Sequence, residues 1–272
     1  MLEEISSILS IKSDSLLATV YTDMAQPGVR RVGQALETVL DLSNTILFPV
    51  RLLNEKVRLI FSANIKKYEQ KLCQLDQCEI ISVPPEIGIP VIDKLTYYTN
   101  EELAELFVNL LVKASSEKTI GNAHPGYIKV IEQLSVDEAR ILKYIAKSGK
   151  LTIPFVYLKA LVTGKNPEKD FIRDMNQLTR LADEVDLLFP DKIHVYMENL
   201  CANKLLDCIQ DFTDPGCKVE FQRLCAVINT RKGIFKESIS SFKEEFDEPK
   251  VHSGFYRVTN YGQGFLETVI KD

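Results

Sequence analysis

Three histidines, six cysteines and two runs of carboxylates are the groups in this chain whose types suit catalysis or metal binding. Histidine carries protons near neutral pH and ligates metals. His124 precedes Pro125, His194 stands beside Val195 and Tyr196, and His252 lies near the start of a predicted strand. His124 could carry a proton or ligate, but is expected to cap or orient the loop between two helices, and neither His194 nor His252 has a cysteine, aspartate or second histidine at ligand spacing. The thiols at 73, 78, 201, 208, 217 and 225 contain no C-x-x-C pair. Cys201 and Cys208, seven apart, are predicted on one helical face, with buried inert thiols as the expectation. Glu101, Glu102 and Glu105 form one acidic group, and Glu244, Glu245, Asp247 and Glu248 another. Paired acids can hold Mg²⁺ for a nuclease. The first group opens a predicted helix, where acids suit the positive dipole end. The second sits in a charged loop before Pro249, so structural roles are expected for both. No G-x-S-x-G or S-x-x-K set is present, and no phosphate loop. Gly262-Gln263-Gly264 fails as a dinucleotide turn, because Glu267 takes the third glycine's place. The expectation is a non-enzymatic protein with no cofactor and no metal.

Binding groups are more plentiful. Residues 28–71 hold eight basic and four acidic side chains, so that segment carries +4 and the other residues −9 of the net −5. Arg51, Lys56, Arg58, Lys66 and Lys67 are its candidate contacts, either as a solvated face or as a patch for an acidic partner, nucleic acid or lipid headgroups. Arg173 and Arg180, with Asn176 and Gln177, suit base reading if residues 167–184 form a helix. Asp170, Asp174 and Asp183 interrupt that face and weaken phosphate attraction, which favours protein contact over DNA.

The elements that must position these groups are mostly helices. Leu2 to Val20 carry one apolar stripe that ends at Pro27-Gly28, and a second helix runs from about 29 to 48, before Pro49. A third, from about 50 to 75, turns Phe61, Ile65, Tyr68 and Leu72 to one face. Glu79–Val83 is read as a short strand or extended connector, and Pro84-Pro85 as an elbow that opens a helix ending near Tyr98. Thr99-Asn100-Glu101-Glu102 matches a capping box with Thr99 as the cap. Ser135-Val136-Asp137-Glu138 matches a second, with a helix closed by Ser148-Gly149. Leu151–Leu161 reads as a strand, with Pro154 pointing to an edge or a helix start. Helices are predicted at 167–184 and 191–210, a strand at Val251–Val258, and a last helix capped by Thr259. The longest apolar run, Leu42–Val50, is too short to span a bilayer, which takes about 20 residues. Met1-Leu2-Glu3-Glu4 lacks a basic leader, so cytoplasmic localisation and reduced thiols are expected.

The order Pro84-Pro85-Glu86-Ile87, Tyr98-x-x-Glu101, the Leu103–Ala114 helix, His124-Pro125 and Leu134-Ser135-x-x-Glu138-Ala139 resembles the bacterial Abi-alpha (abortive infection alpha) family. That resemblance implies antiviral defence, in which an infected cell halts phage production by dying or arresting. It carries no catalytic site with it, and marks Pro85, Glu86 and His124 as candidate contacts. Tyr256 to Leu266 resembles the strand-to-helix ending of winged-helix domains, with a Thr-x-x-Gly turn. The expected fold is therefore mainly α. An N-terminal long helical hairpin and helical bundle precede a winged-helix-like α+β C-terminal domain, with boundaries at 1–82, 83–134 and 135–272. The expected partner is a phage- or host-derived protein or a second copy. Nucleic acid, or peripheral membrane contact through the N-terminal helices, stands as the alternative.

Overall fold

The computed structural model describes residues 30–31, 33–36, 38, 54–165, 171–173 and 177–271. The predicted first helix, the stretch Leu42–Val50 and Arg51 lie outside the described residues, as does most of the predicted hairpin. The chain divides into two compact units, Met1–Val136 with Glu267–Asp272, and Asp137–Leu266.

Unit 1 is helical. Helix α1 (Glu55–Leu72) starts where the Asn54 side chain accepts the backbone N–H groups of Lys56 and Val57. Its buried residues include Phe61, Ile65, Tyr68 and Leu72; spaced four, three and four apart, they form the predicted core stripe. Helix α2 (Pro85–Leu95) begins at Pro85, where the missing amide costs no hydrogen bond, and buries Ile87, Val91, Ile92 and Leu95. The buried Asn64 of α1 donates Nδ2–H to the carbonyls of Leu95 (2.9 Å) and Tyr98 (3.2 Å). It thereby satisfies acceptors that the end of α2 leaves open. Helices α3 (Glu101–Ala114) and α4 (Gly126–Glu132) complete the unit with Leu106, Phe107, Leu110, Ile128 and Ile131 inward. Residues 30–31, 33–36 and 38 are helical, with Ala35 and Leu36 buried. Val83 donates its amide to the Ala35 carbonyl at 2.9 Å, so this part of the second predicted helix is docked within the unit. The connector before α2 is extended, with one bridge between Ile80 and Ser116.

Unit 2 wraps helices around an antiparallel sheet. It contains α5 (Val136–Ser148), β1 (Thr152–Leu161), β2 (Phe171–Arg173), α6 (Leu181–Glu184), α7 (Ile193–Ala202) and β3 (Leu206–Gln210). Helices α8 (Lys218–Asn229) and α9 (Lys232–Ile239) follow, then β4 (Lys250–Val258) and α10 (Asn260–Phe265). The strand order is β2-β1-β4-β3. One face of β1, carrying Val156, Leu158 and Ala160, packs against Phe221, Leu224 and Ile228 of α8 and Phe235 and Ile239 of α9. Thr259 caps α10 as predicted, accepting the Gly262 amide at 2.9 Å. A Cβ at Gly262 would lie 2.1 Å from the Leu205 carbonyl oxygen, so this Thr-x-x-Gly turn needs glycine for close approach. The chain then returns to unit 1 through a π-helical turn, Leu266–Ile270. There the buried Asn109 donates to the Val269 carbonyl at 2.8 Å.

Four expectations are corrected. Residues 167–184 are not one helix: β2 pairs with the end of β1, Leu178 bridges Val156, and α6 spans only Leu181–Glu184. Phe171 and Ile172 suit a strand, and the open edge of β1 offers the hydrogen bonds that a lone amphipathic pattern cannot foresee. Cap duty before α3 belongs to Asn100, whose Oδ1 accepts from Glu102 and Leu103, and not to Thr99. Residues 191–210 split into α7 and β3, because Lys204 takes a left-handed φ of 60° that ends the helix. That separates Cys201 from Cys208, which lies on β3. Finally, Pro154 sits in an inner strand. Val156 exchanges both backbone bonds with Leu178, so Pro154, two residues earlier, also directs its missing donor away from β4, where no described strand pairs with it.

Candidate interaction surfaces

The basic side chains of α1 divide between two directions. Lys67 Nζ lies 3.7 Å from Glu101 and Lys71 Nζ 3.4 Å from Glu105. The two rungs join α1 to α3 with matching four-residue steps. Lys71 also donates to Asn109 Oδ1 at 2.7 Å, and that amide is fixed in turn by Val269. Lys56 and Lys66 point to solvent beside the exposed Leu59, while Arg58 is half-buried. The predicted basic patch is thus partly neutralised on its α3 side. A groove of about 450 Å³ runs along this ladder, lined by Gln70, Gln74, Glu102 and Val108 beside the paired residues. Its mixed charges favour neither nucleic acid nor an anionic headgroup.

The residues marked by resemblance lie at helix starts. Pro85 is half-buried at the first position of α2, with Glu86 exposed in that first turn. His124 Nδ1 accepts the Gly126 amide at 3.0 Å, and its ring stands 5.7 Å from Tyr127. It orients the loop entering α4, which is a structural use of the imidazole.

In unit 2 the two candidate arginines are not on a shared helix. Arg173 stands in β2 opposite Lys159. Arg180 precedes α6 and lies 3.4 Å from Glu184, where it is half-buried.

Asp137 organises a surface that sequence reading did not single out. It is 2% exposed. Its Oδ1 accepts the Leu188 amide at 2.7 Å, and its Oδ2 accepts the Phe189 amide at 2.9 Å and the Tyr196 hydroxyl at 2.8 Å. Burial pushes this carboxyl up, but the three donors and Arg140 outweigh it and hold it below the usual carboxylate range. Beside it, Glu138 accepts from Asn199 at 2.7 Å. The loop before α7 and the first turn of α7 are therefore tied to α5 at one point. What the tie presents is apolar: Leu188 is 56% and Phe189 64% exposed, and Val195 of α7 is also exposed. The signal for it in the sequence was the adjacent pair Leu188-Phe189 among acids, which reads equally as core.

A second polar cluster joins residues 41 apart. His252 Nδ1 lies 2.6 Å from Asp211 Oδ1, and the buried Tyr157 donates its hydroxyl to the same oxygen at 2.9 Å. Asp211 adopts a φ of 60° just beyond β3, which brings its carboxylate over β4. Burial raises this carboxyl, but its bonds to His252 and Tyr157 prevail and lower it overall. The pair orients one imidazole nitrogen, as an acid–base dyad does. Burial pushes the Cys201 thiol up to about 12 and raises Cys217 and Cys225, so these three favour the neutral thiol. Cys73, Cys78 and Cys208 are exposed. Among the described residues no three or more His, Cys, Asp or Glu are grouped to hold a metal ion, and no helix is long and apolar enough to cross a membrane.

A search of the curated proteins gives no match to the sequence. One solved structure, of an uncharacterized protein from the hydrocarbon-degrading marine bacterium Alcanivorax borkumensis SK2, is similar at 16% sequence identity and a TM-score of 0.35. The likeness covers 54% of this chain and 95% of that one. The profile of the family described as abortive infection alpha matches residues 60–269. That span takes in α2, α3, the His124 loop and all of unit 2, so the chain belongs to the abortive infection alpha family.

Proposed function

We propose that this protein serves in abortive infection and acts through protein–protein contact without catalysing a reaction. Family membership supplies the setting. The observation that carries the contact reading is the Leu188–Phe189 pair, exposed to solvent yet fixed by a buried carboxylate through two backbone amides. Exposed apolar groups are ordinary when scattered, but a rigidly held, clustered pair fits recognition. The test is phage plating on cells with and without the gene, over a diverse phage panel, beside the variant L188A/F189A. Protection by the wild type and its loss in a folded variant support the reading. Equal protection by both would refute contact through this loop, and no protection against any phage would refute the defence role.

A second reading has one observation in its favour. Helix α5 before β1, α7 before β3, and the sheet segment β1-β4-β3 follow the order of a winged-helix domain, with α8 and α9 in place of the wing. In that arrangement α7 takes the recognition position. Its solvent side offers Val195 and Glu198 where base readers carry Arg, Lys, Asn or Gln. Such a face repels phosphate, so on a winged-helix reading of this order the α7 position favours protein contact over DNA.

A further inference from the structure

Unit 2 bears two exposed apolar surfaces of opposite charge. The first is the Leu188–Phe189 loop with Val195. Between residues 183 and 198 stand five carboxylates; Glu184 is paired with Arg180 and Asp186 with Arg140, which leaves Asp183, Asp191 and Glu198 exposed against Lys192. The second is the outer side of α8 and the start of α9. Helix α8 buries Phe221, Leu224 and Ile228. On its opposite side Val219, Arg223 and Val227 recur every four residues, all exposed, and Ile234 follows at 72% exposure. Lys218, Arg223, Arg231 and Lys232 make this ridge basic, and the one acid over residues 217–234, Glu220, lies 3.7 Å from Lys150.

An acidic apolar surface repels nucleic acid and anionic lipid, and fits a basic apolar one. The chain supplies that complement itself. We propose that a second copy of this chain is the occupant, with the Leu188–Phe189 loop of one copy seated on the α8–α9 ridge of the next. Apolar burial gives the contact its strength, and the opposed charges set register and speed. The net charge of −5 repels copies only weakly, because at contact the local opposition acts inside the Debye length of about 8 Å. Since the two surfaces differ, the contact is heterologous and closes into a ring or extends as a filament. This deepens the contact reading and rests on it, by naming the partner of the same loop.

The test is sedimentation of the full chain over a range of concentrations at low and high salt. Association that grows with concentration and weakens with salt is expected. R223E/R231E and D191R/E198R, which alter exposed side chains, should each raise the dissociation constant at least about tenfold. Mixing the two variants should restore association, because each reversed face then meets its opposite; that restoration also shows both variants are folded. A monomer under every condition, association indifferent to both variants, or a mixture that stays dissociated would overturn the proposal. Phage plating separates the two readings: a monomeric chain that still protects, with protection lost in L188A/F189A, leaves contact with another protein standing.

Discussion

Asp137 shows what a single buried carboxylate can govern. Its three hydrogen bonds have charged character, and such bonds are worth more than neutral ones. Asp137→Ala strands two backbone amides and a tyrosine hydroxyl, and should destabilise unit 2 by about 3 kcal/mol in denaturant unfolding. Because the folded state holds this carboxyl below its unfolded value of about 3.9, its contribution is fully present above that pH. It is lost as pH falls through the lower folded value. Asp137→Asn should therefore flatten part of the acid limb of stability against pH. The thiols give a second residue-scale prediction. A thiol reagent on the native protein should modify exposed Cys73, Cys78 and Cys208 first, and Cys201 slowest, because burial keeps it protonated. Rapid Cys201 labelling would contradict that placement. None of these environments was legible along the chain. Leu188 and Phe189 are about 50 residues from Asp137, and Asp211 is 41 from His252.

At the scale of elements, local rules placed most helix ends, and missed the α3 cap by one residue. The starts at Pro85 and Thr259 and the stop at Gly149, with φ of 66°, follow from donor geometry and the glycine left-handed region. The α3 cap tests how fine such rules are. Asn100→Ala should cost about 1 kcal/mol, while Thr99→Ala should change stability by no more than a few tenths. A larger loss at Thr99 would reinstate the capping box. Gly262→Ala, placing a methyl against the Leu205 carbonyl, should cost about 2 kcal/mol or more in thermal or denaturant unfolding. The failed helix at 167–184 marks the limit of periodicity. Whether Phe171-Ile172-Arg173 joins a helix or a sheet depends on an open strand edge, and β1 provides one from ten residues upstream.

Across the whole molecule, the chain leaves unit 1 at Val136 and comes back to it at Glu267. Val269 is fully buried there, Ile270 and Thr268 nearly so, and the Val269 carbonyl completes Asn109. Deleting residues 267–272 should lower the stability of unit 1 by about 4 kcal/mol, from roughly 1.5–3 kcal/mol per buried aliphatic side chain. Hydrogen exchange in α3 would report it, and unchanged protection there would contradict this role for the terminal turn. The uneven charge noted in residues 28–71 is tempered by the same architecture, since Lys67 and Lys71 face Glu101 and Glu105 of α3.

By itself the sequence determined the helical character of the described part of unit 1, strands close to 151–161 and 251–258, the starts at Pro85 and Thr259, the stop at Gly149, and the family. Those depend on neighbours within about four residues, or on a pattern spread along the chain. Only the tertiary structure decided that Arg173 lies in a strand, that Asp137 holds an exposed Leu188–Phe189 pair, and that acidic and basic apolar surfaces share unit 2. Each of these depends on which distant segments meet, and hydrogen-bonding and burial between such segments leave no periodic trace in the local residues.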